Sequence, residues 1–283
     1  MNPVIKVENL TYKHGDATTN ALENIDFEVR EGEFFCIIGK NGSGKSTLCD
    51  SLVGLIPHYF AGRMSGKVII YGKETTDMTI GEISSTVGFV FQNPFNQLSY
   101  TTGSVEEELA YGLCNMGISR KEMKEKVGRI AKLVRVDHLL NKSPLELSGG
   151  QVQRVALGSS LIMEPKVLVL DECTTQLDPL GSEEIFDIVK ELNKSGVTVI
   201  MVDHDMERVA RCADRILVLN EGKKIALEKP EVIFNDNNVI SNGVQAPDFV
   251  NIGNALKREG LYNGTIIIDE NVAVKAVREA LTA

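Results

Sequence analysis

The 283-residue chain has no paired cysteines, no surplus of basic charge and no long apolar run. Its five cysteines, Cys36, Cys49, Cys114, Cys173 and Cys212, are scattered and form no C-x-x-C pair. That argues against a disulfide scaffold or a zinc site and reads as small buried thiols in a reduced, intracellular protein. A formal net charge of −9 disfavours a nucleic-acid binder that works through a broad basic surface. No basic-plus-apolar leader is evident, and no window approaches the ~18 continuous apolar residues of a spanning helix. The longest apolar runs, such as Val167–Leu170, are strand-sized, so work at a membrane would need another chain as anchor. No internal repeat is evident. The length suits one large domain with an appendage, or two domains.

What is present begins with Gly39-Lys40-Asn41-Gly42-Ser43-Gly44-Lys45-Ser46-Thr47. The segment fits G-x-x-x-x-G-K-[ST], and it follows the apolar run Phe34–Ile38, the strand–turn–helix context that the pattern requires. Glycines let successive backbone N–H groups converge on one point, and the following helix adds its free N-terminal N–H groups. Lys45 is expected to reach the β- and γ-phosphates of a nucleotide, and Ser46 to join a Mg2+ shell.

Around this loop the pattern is α/β. Strands are expected at 4–10, 25–30, 34–38, 67–71, 87–91, 167–171, 197–202 and 215–219, with helices at 45–56, 179–195 and 205–212. Gly62 and Gly66 read as bracketing a loop. The alternation implies a largely parallel sheet covered by helices. Helical periodicity and charge at 104–117 and 119–140, then a helix at 150–163, read as a helical insert, with Ser119 and Glu122 forming a capping box. Asn220–Lys223 reads as a hairpin turn. The tail has helical runs at 248–258 and 270–281 and a strand-like Thr265–Ile268.

Two further motifs extend the first. Val167–Leu170 ends in two acids. Asp171 is placed to hold Mg2+, and Glu172 to orient an attacking water. Leu147-Ser148-Gly149-Gly150-Gln151 opens a helix as a second phosphate-binding nest, or as an ordinary cap at Ser148.

Together these motifs resemble the nucleotide-binding subunit of an ABC transporter over about residues 4–230. The resemblance implies a P-loop NTPase with a RecA-like mixed-sheet core, an N-terminal antiparallel β subdomain, a helical signature subdomain at about 93–160, and a small C-terminal α/β extension at 231–283 with a role in pairing. It implies that Leu147–Gln151 is the signature that covers the ATP of a partner subunit, so the active unit is a dimer holding two ATPs with Mg2+. Gly39–Thr47 holds the phosphates. Tyr12 matches the aromatic that stacks on adenine, or is a half-buried strand residue. Gln92 matches the switch glutamine that senses Mg2+ and the attacking water, or is a turn residue. Asp178 matches the dimer-contact aspartate and His204 the γ-phosphate histidine. Arg154 reads as pairing locally.

Two positions depart from the usual pattern. Cys173 stands where proline is common and reads as small and buried. Asp203 stands where threonine or serine is commoner, and its charge is expected to act on His204.

The segment from Gln92-Asn93-Pro94-Phe95-Asn96-Gln97-Leu98 to Val105–Leu113 resembles the ATPase subunits of energy-coupling factor importers, as more loosely do Gly54–Phe60 and the tail from Ala246. That likeness implies uptake of a vitamin, its precursor or a transition-metal ion. It implies a transmembrane coupling protein, a small membrane substrate-binding protein and a peripheral place on the cytoplasmic face of the membrane, with no nucleic acid. Gln97, Leu98, Val105 and Leu109 are expected to line the groove for the coupling protein. A homodimer and a heterodimer with a second ATPase both remain open. The alternatives are a conventional ABC transporter ATPase, a soluble ATPase of DNA repair or translation, and an assembly protein without turnover. Intact Lys45, Asp171, Glu172 and His204 argue against the last.

Overall fold

The computed structural model describes residues 3–175 and 177–282. Ten strands are formed among them: β1 (Pro3–His14), β2 (Leu22–Arg30), β3 (Phe34–Gly39), β4 (Gly62–Ile70), β5 (Lys73–Glu74), β6 (Val87–Val90), β7 (Val167–Asp171), β8 (Thr198–Val202), β9 (Arg215–Asn220) and β10 (Lys223–Glu228). The helices are α1 (Lys45–Leu52), α2 (Leu55–His58), α3 (Ile80–Ser84), α4 (Val105–Asn115), α5 (Arg120–Leu133), α6 (Gly149–Leu161), α7 (Pro179–Lys194), α8 (Met206–Cys212), α9 (Pro230–Ile233), α10 (Asn237–Ser241), α11 (Asp248–Arg258) and α12 (Glu270–Thr282).

The larger sheet has the order β10-β9-β3-β8-β7-β6. All neighbours in it are parallel except the β9–β10 hairpin. Its central strands read as unbroken apolar runs because both faces are covered. In β3, Phe34, Cys36 and Ile38 enter one core, while Phe35 and Ile37 enter the other. Strands β7, β8 and β9 divide their residues in the same alternating way. The first core lies under α4–α7 and the C-terminal helices. The second lies between the sheet and α1 with the smaller antiparallel sheet, order β2-β1-β4-β5.

Helix starts follow local chemistry. Ser104, Ser119, Ser148 and Asp178 each accept a backbone N–H from the first turn of α4, α5, α6 and α7. A full capping box forms at Ser148, where the Gln151 side chain returns the bond.

Three local expectations are corrected. Residues 62–66 belong to β4 and pair with β1 from His14 to Thr11, so they form no loop. Helix 45–56 ends at Leu52, and Gly54 with φ +74° opens the separate α2. Thr265–Ile268 forms no strand; Ile267 instead packs into the first core, against Gly253 of α11. The C-terminal extension is therefore helical rather than α/β. It also shares its core with the rest of the chain through Phe234, Val239, Phe249 and Val250.

Candidate active site

The side chains that matter leave the carboxyl ends of parallel neighbours. The Gly-rich loop follows β3, Gln92 follows β6, Asp171 ends β7 with Glu172 just after it, and His204 follows β8. Adjacent parallel strands place these ends along one edge of the sheet, where open α/β sheets bind ligands.

The loop after β3 tolerates no side chain at two positions. Gly39 has φ +153°, and a Cβ there would strike the Leu219 carbonyl. Gly44 has φ +101°, and its Cβ would lie 2.5 Å from the Ala21 carbonyl oxygen. The β9–β10 hairpin braces the same loop, as Gly222 N donates to the Ser43 carbonyl at 3.1 Å. The loop and the N-terminus of α1 frame a cleft of about 330 Å³ lined by Asn41, Gly42, Gly44–Thr47, Gln92, Glu172 and Ala21. Inside the loop, Lys45 Nζ donates to the carbonyls of Gly39 and Lys40 at 2.9 and 3.1 Å. Its charge is thus fixed where backbone N–H groups converge, a built site for phosphates.

Glu172 gathers the rest. Its carboxylate accepts from Gln92 Nε2 at 2.6 Å and lies 2.7 Å from His204 Nε2 and 3.6 Å from Lys45 Nζ. Its backbone has φ +48°, an uncommon conformation for a non-glycine residue, and its N–H donates to the Val202 carbonyl. That turn lifts the carboxylate off the strand end towards the cleft.

Asp171 is buried, and its Oδ1 has no hydrogen-bond partner. Burial pushes its pKa up, while the Ser46 hydroxyl beside it opposes that shift. An orphaned carboxylate oxygen next to a hydroxyl is a donor set of hard oxygens and fits Mg2+. Asp50, one turn along α1 from Ser46, is raised to about 6 by burial and by Asp171.

The signature segment is not part of this cleft. Ser148 and Gly149 are exposed, and no residue of Leu147–Gln151 lines it. Asp178 is likewise exposed and caps α7 through Gly181 N at 3.0 Å. Gln176 lies outside the described residues. Arg154 pairs with Glu184. Cys173 is 4% exposed, and burial pushes its thiol up to about 12.

The structure overturns two readings and redirects a third. Tyr12 has no exposed surface and donates its hydroxyl to the Ala61 carbonyl at 3.1 Å, so it cannot stack on a base. Two residues on, His14 sits on the same face of β1, exposed, with its Nε2 3.4 Å from Thr47 Oγ1. It is the ring beside the cleft that residue-type matching missed; the period-two step along β1 is the signal that locates it. The Asp203 carboxylate is bonded elsewhere than to the His204 ring. It pairs with Arg208 Nη1 at 2.8 Å and accepts Asp205 N at 2.9 Å.

Three of the four partner-groove residues are also interior, and the fourth, Gln97, is half-buried. Leu98, Val105 and Leu109 are core residues, and Gln97 Nε2 donates to the Ala156 carbonyl and Ser160 Oγ at 2.7 and 2.8 Å. A nearby cleft of about 240 Å³ instead runs between Leu55, Ile80, Phe89, Phe91 and Met163. Tyr59, Phe60, Phe95 and Tyr111 are exposed. Among the described residues no helix is long and apolar enough to cross a membrane.

Comparison with known proteins agrees with this geometry. The sequence profile of the ABC transporter family matches residues 22–175. The chain is 44% identical to a putative ABC transporter ATP-binding protein of Pyrococcus horikoshii, over 95% of each chain. It is 40% identical to the energy-coupling factor transporter ATP-binding protein EcfA1 of Bacillus subtilis, over 92% of this chain and 91% of that one. Among solved structures, cbiO1 of Clostridium perfringens, described as part of the ABC transporter complex cbiONQ, superposes with a TM-score of 0.73 at 34% identity. The superposition covers 92% of this chain and 98% of cbiO1. With a phosphate-binding loop, an acidic strand end and a signature segment in this arrangement, the chain belongs to the ABC transporter family as one of its ATP-binding subunits.

Proposed function

We propose that this chain hydrolyses ATP to drive an importer of the energy-coupling factor type, taking up a vitamin, a vitamin precursor or a transition-metal ion. The convergence of Gln92, His204 and Lys45 on the Glu172 carboxylate supports hydrolysis. Likeness to EcfA1 over more than nine-tenths of both chains carries the importer reading.

In this reading the loop amides of Gly42–Thr47 and Lys45 hold the phosphates, and the His14 ring lies against the base. Glu172 takes a proton from the attacking water as the new bond to the γ-phosphorus forms and the bond to the ADP oxygen breaks. His204 and Gln92 hold the carboxylate in place. Ser46 and Asp171 would hold Mg2+, which when bound neutralises charge on the β- and γ-phosphates. The exposed signature at Ser148–Gly150 closes over the ATP of a second subunit, and the C-terminal helices support that pairing. The partner is a copy of this chain or a related ATPase. The cleft between Leu55, Ile80, Phe91 and Met163, with exposed Phe95 later in the same segment, receives a helix of the membrane coupling protein, which keeps the subunit at the cytoplasmic face.

Detergent extraction of membranes followed by affinity capture of this chain tests the reading. Recovery of a polytopic membrane protein with a small membrane substrate binder is expected. Recovery of nucleic acid or ribosomes alone overturns it.

A further inference from the structure

Arg208 is the most enclosed cation outside the phosphate loop, at 5% exposure, and the proposed mechanism does not use it. It sits on α8, one turn past His204. Its guanidinium does not stay with that segment. Nη1 donates to Asp203 Oδ2 at 2.8 Å and to Thr174 Oγ1 at 3.2 Å. Nη2 donates to Ser182 Oγ at 2.9 Å and to Glu183 Oε1 at 3.3 Å. Its plane lies over the Phe186 ring, 5.3 Å from the centroid. Thr174 follows Glu172 by two residues, and Ser182 lies in the first turn of α7, behind Asp178. Asp203 and Asp205 flank His204, and Asp205 Oδ1 also accepts Arg208 N at 3.0 Å.

One side chain therefore joins the loop after β8 to the loop after β7. The joined loops are those whose tips meet at the Glu172–His204 contact of 2.7 Å. That front contact is a single bond between an exposed ring and a carboxylate. The rear contact is a buried planar fork with fixed acceptors on both sides. Backbone pairing spaces the strand ends, with Glu172 N–H donating to the Val202 carbonyl; beyond it the rear contact is the firmer of the two side-chain ties, because a guanidinium holds several acceptors in fixed directions whereas an ammonium or an amide does not.

We propose that Arg208 is a positioning residue: with Asp203 it locks the His204 loop to the Glu172–Asp178 loop, so that the catalytic carboxylate, its histidine and the dimer-contact segment move as one unit. The departure at Asp203 is then one half of a charge pair whose other half is Arg208. The proposal rests on the reading of Glu172 and His204 as reacting-site residues.

The test uses the full chain assembled as its ATP-competent dimer. It reads kcat, affinity for a fluorescent ATP analogue, and melting temperature. Arg208→Lys keeps the charge and loses the fork; kcat is expected to fall tenfold or more with ATP affinity within twofold. A purely structural pair can be replaced by apolar residues without loss. The double variant Asp203→Leu with Arg208→Met is therefore expected to melt near the wild-type temperature and bind ATP, yet to stay at least tenfold slow. Wild-type kcat in that double variant, or in Arg208→Lys, overturns the proposal. Glu172→Gln separates the two levels: if it turns over normally, the reading of the site fails; if it is inactive while the Arg208 variants are fast, only the positioning role fails.

Discussion

At the scale of single residues, chemistry in this chain depends on where a strand ends. Tyr12 and His14 share a face of β1, yet one is enclosed beneath Ala61 and the other stands at the cleft. Residue type favoured the tyrosine; only the position of the β1–β4 edge decides for the histidine. His14→Ala is expected to weaken ATP binding by about 1 kcal/mol, roughly fivefold in Kd, through lost stacking on the base. Tyr12→Ala should instead cost about 3–5 kcal/mol of folding stability, as large buried aromatics do. Calorimetric titration with ATP and thermal melting separate the two. Asp50 gives a pH prediction. Its pKa is raised in the folded chain from 3.8 to about 6, so the native state binds more protons than the unfolded state between those values. Stability therefore falls as pH rises through that window. In nucleotide-free, Mg2+-free protein, Asp50→Asn is expected to stabilise at pH 7.5 by roughly 1–2 kcal/mol, discounted for partial exposure. The gain should shrink below pH 6 and vanish below pH 4, as denaturant melts of both proteins would show. By contrast, the loop at Gly39–Thr47 was legible from residue type alone, because the Leu219 and Ala21 carbonyls leave no room for a Cβ at Gly39 or Gly44.

At the scale of elements, Gln97 shows how a motif can be read correctly and placed wrongly. Its pattern marked the segment after β6, but the side chain turns inward. It joins β6 to α6 through Phe89, Phe91, Ala156 and Ser160. Gln97→Ala strands several of those groups and should lower stability by roughly 2–3 kcal/mol, read as a fall in melting temperature. Exposed Phe95→Ala should leave the melting temperature unchanged and weaken capture of the membrane partner. Strands β3, β7, β8 and β9 were legible because both faces are covered and every position between their end residues is apolar. Residues 62–66 were not, since exposed Arg63 and Ser65 carry no apolar strand pattern and extend β4 only by pairing with β1. Thr265–Ile268 failed the opposite way: its residues suit a strand, but helices surround it. Ser148 was legible as both a cap and a signature, and the structure gives it the cap without excluding the other role.

At the scale of the whole molecule, the signature and the phosphate loop lie apart on one chain, and Ser148 lies outside its own cleft. In a defined dimer carrying Ser148→Arg in one subunit only, hydrolysis should fail at the site whose phosphate loop belongs to the unchanged subunit. Site-specific trapping of nucleotide reads this; loss at the altered subunit's own loop would contradict it. The double core has another consequence. Strands β3, β7 and β8 lie centrally in the larger sheet and are buried on both faces. Their amides should exchange with deuterium only on global unfolding. Glu172 and His204 lie one and two residues past the ends of β7 and β8, Gln92 lies two past the end of the edge strand β6, and Gln92 and His204 are exposed. Protection should therefore drop from the global limit to near zero within a few residues at each strand end. Nucleotide binding would then register as slowed exchange confined to these loops, with the strands beneath them unchanged.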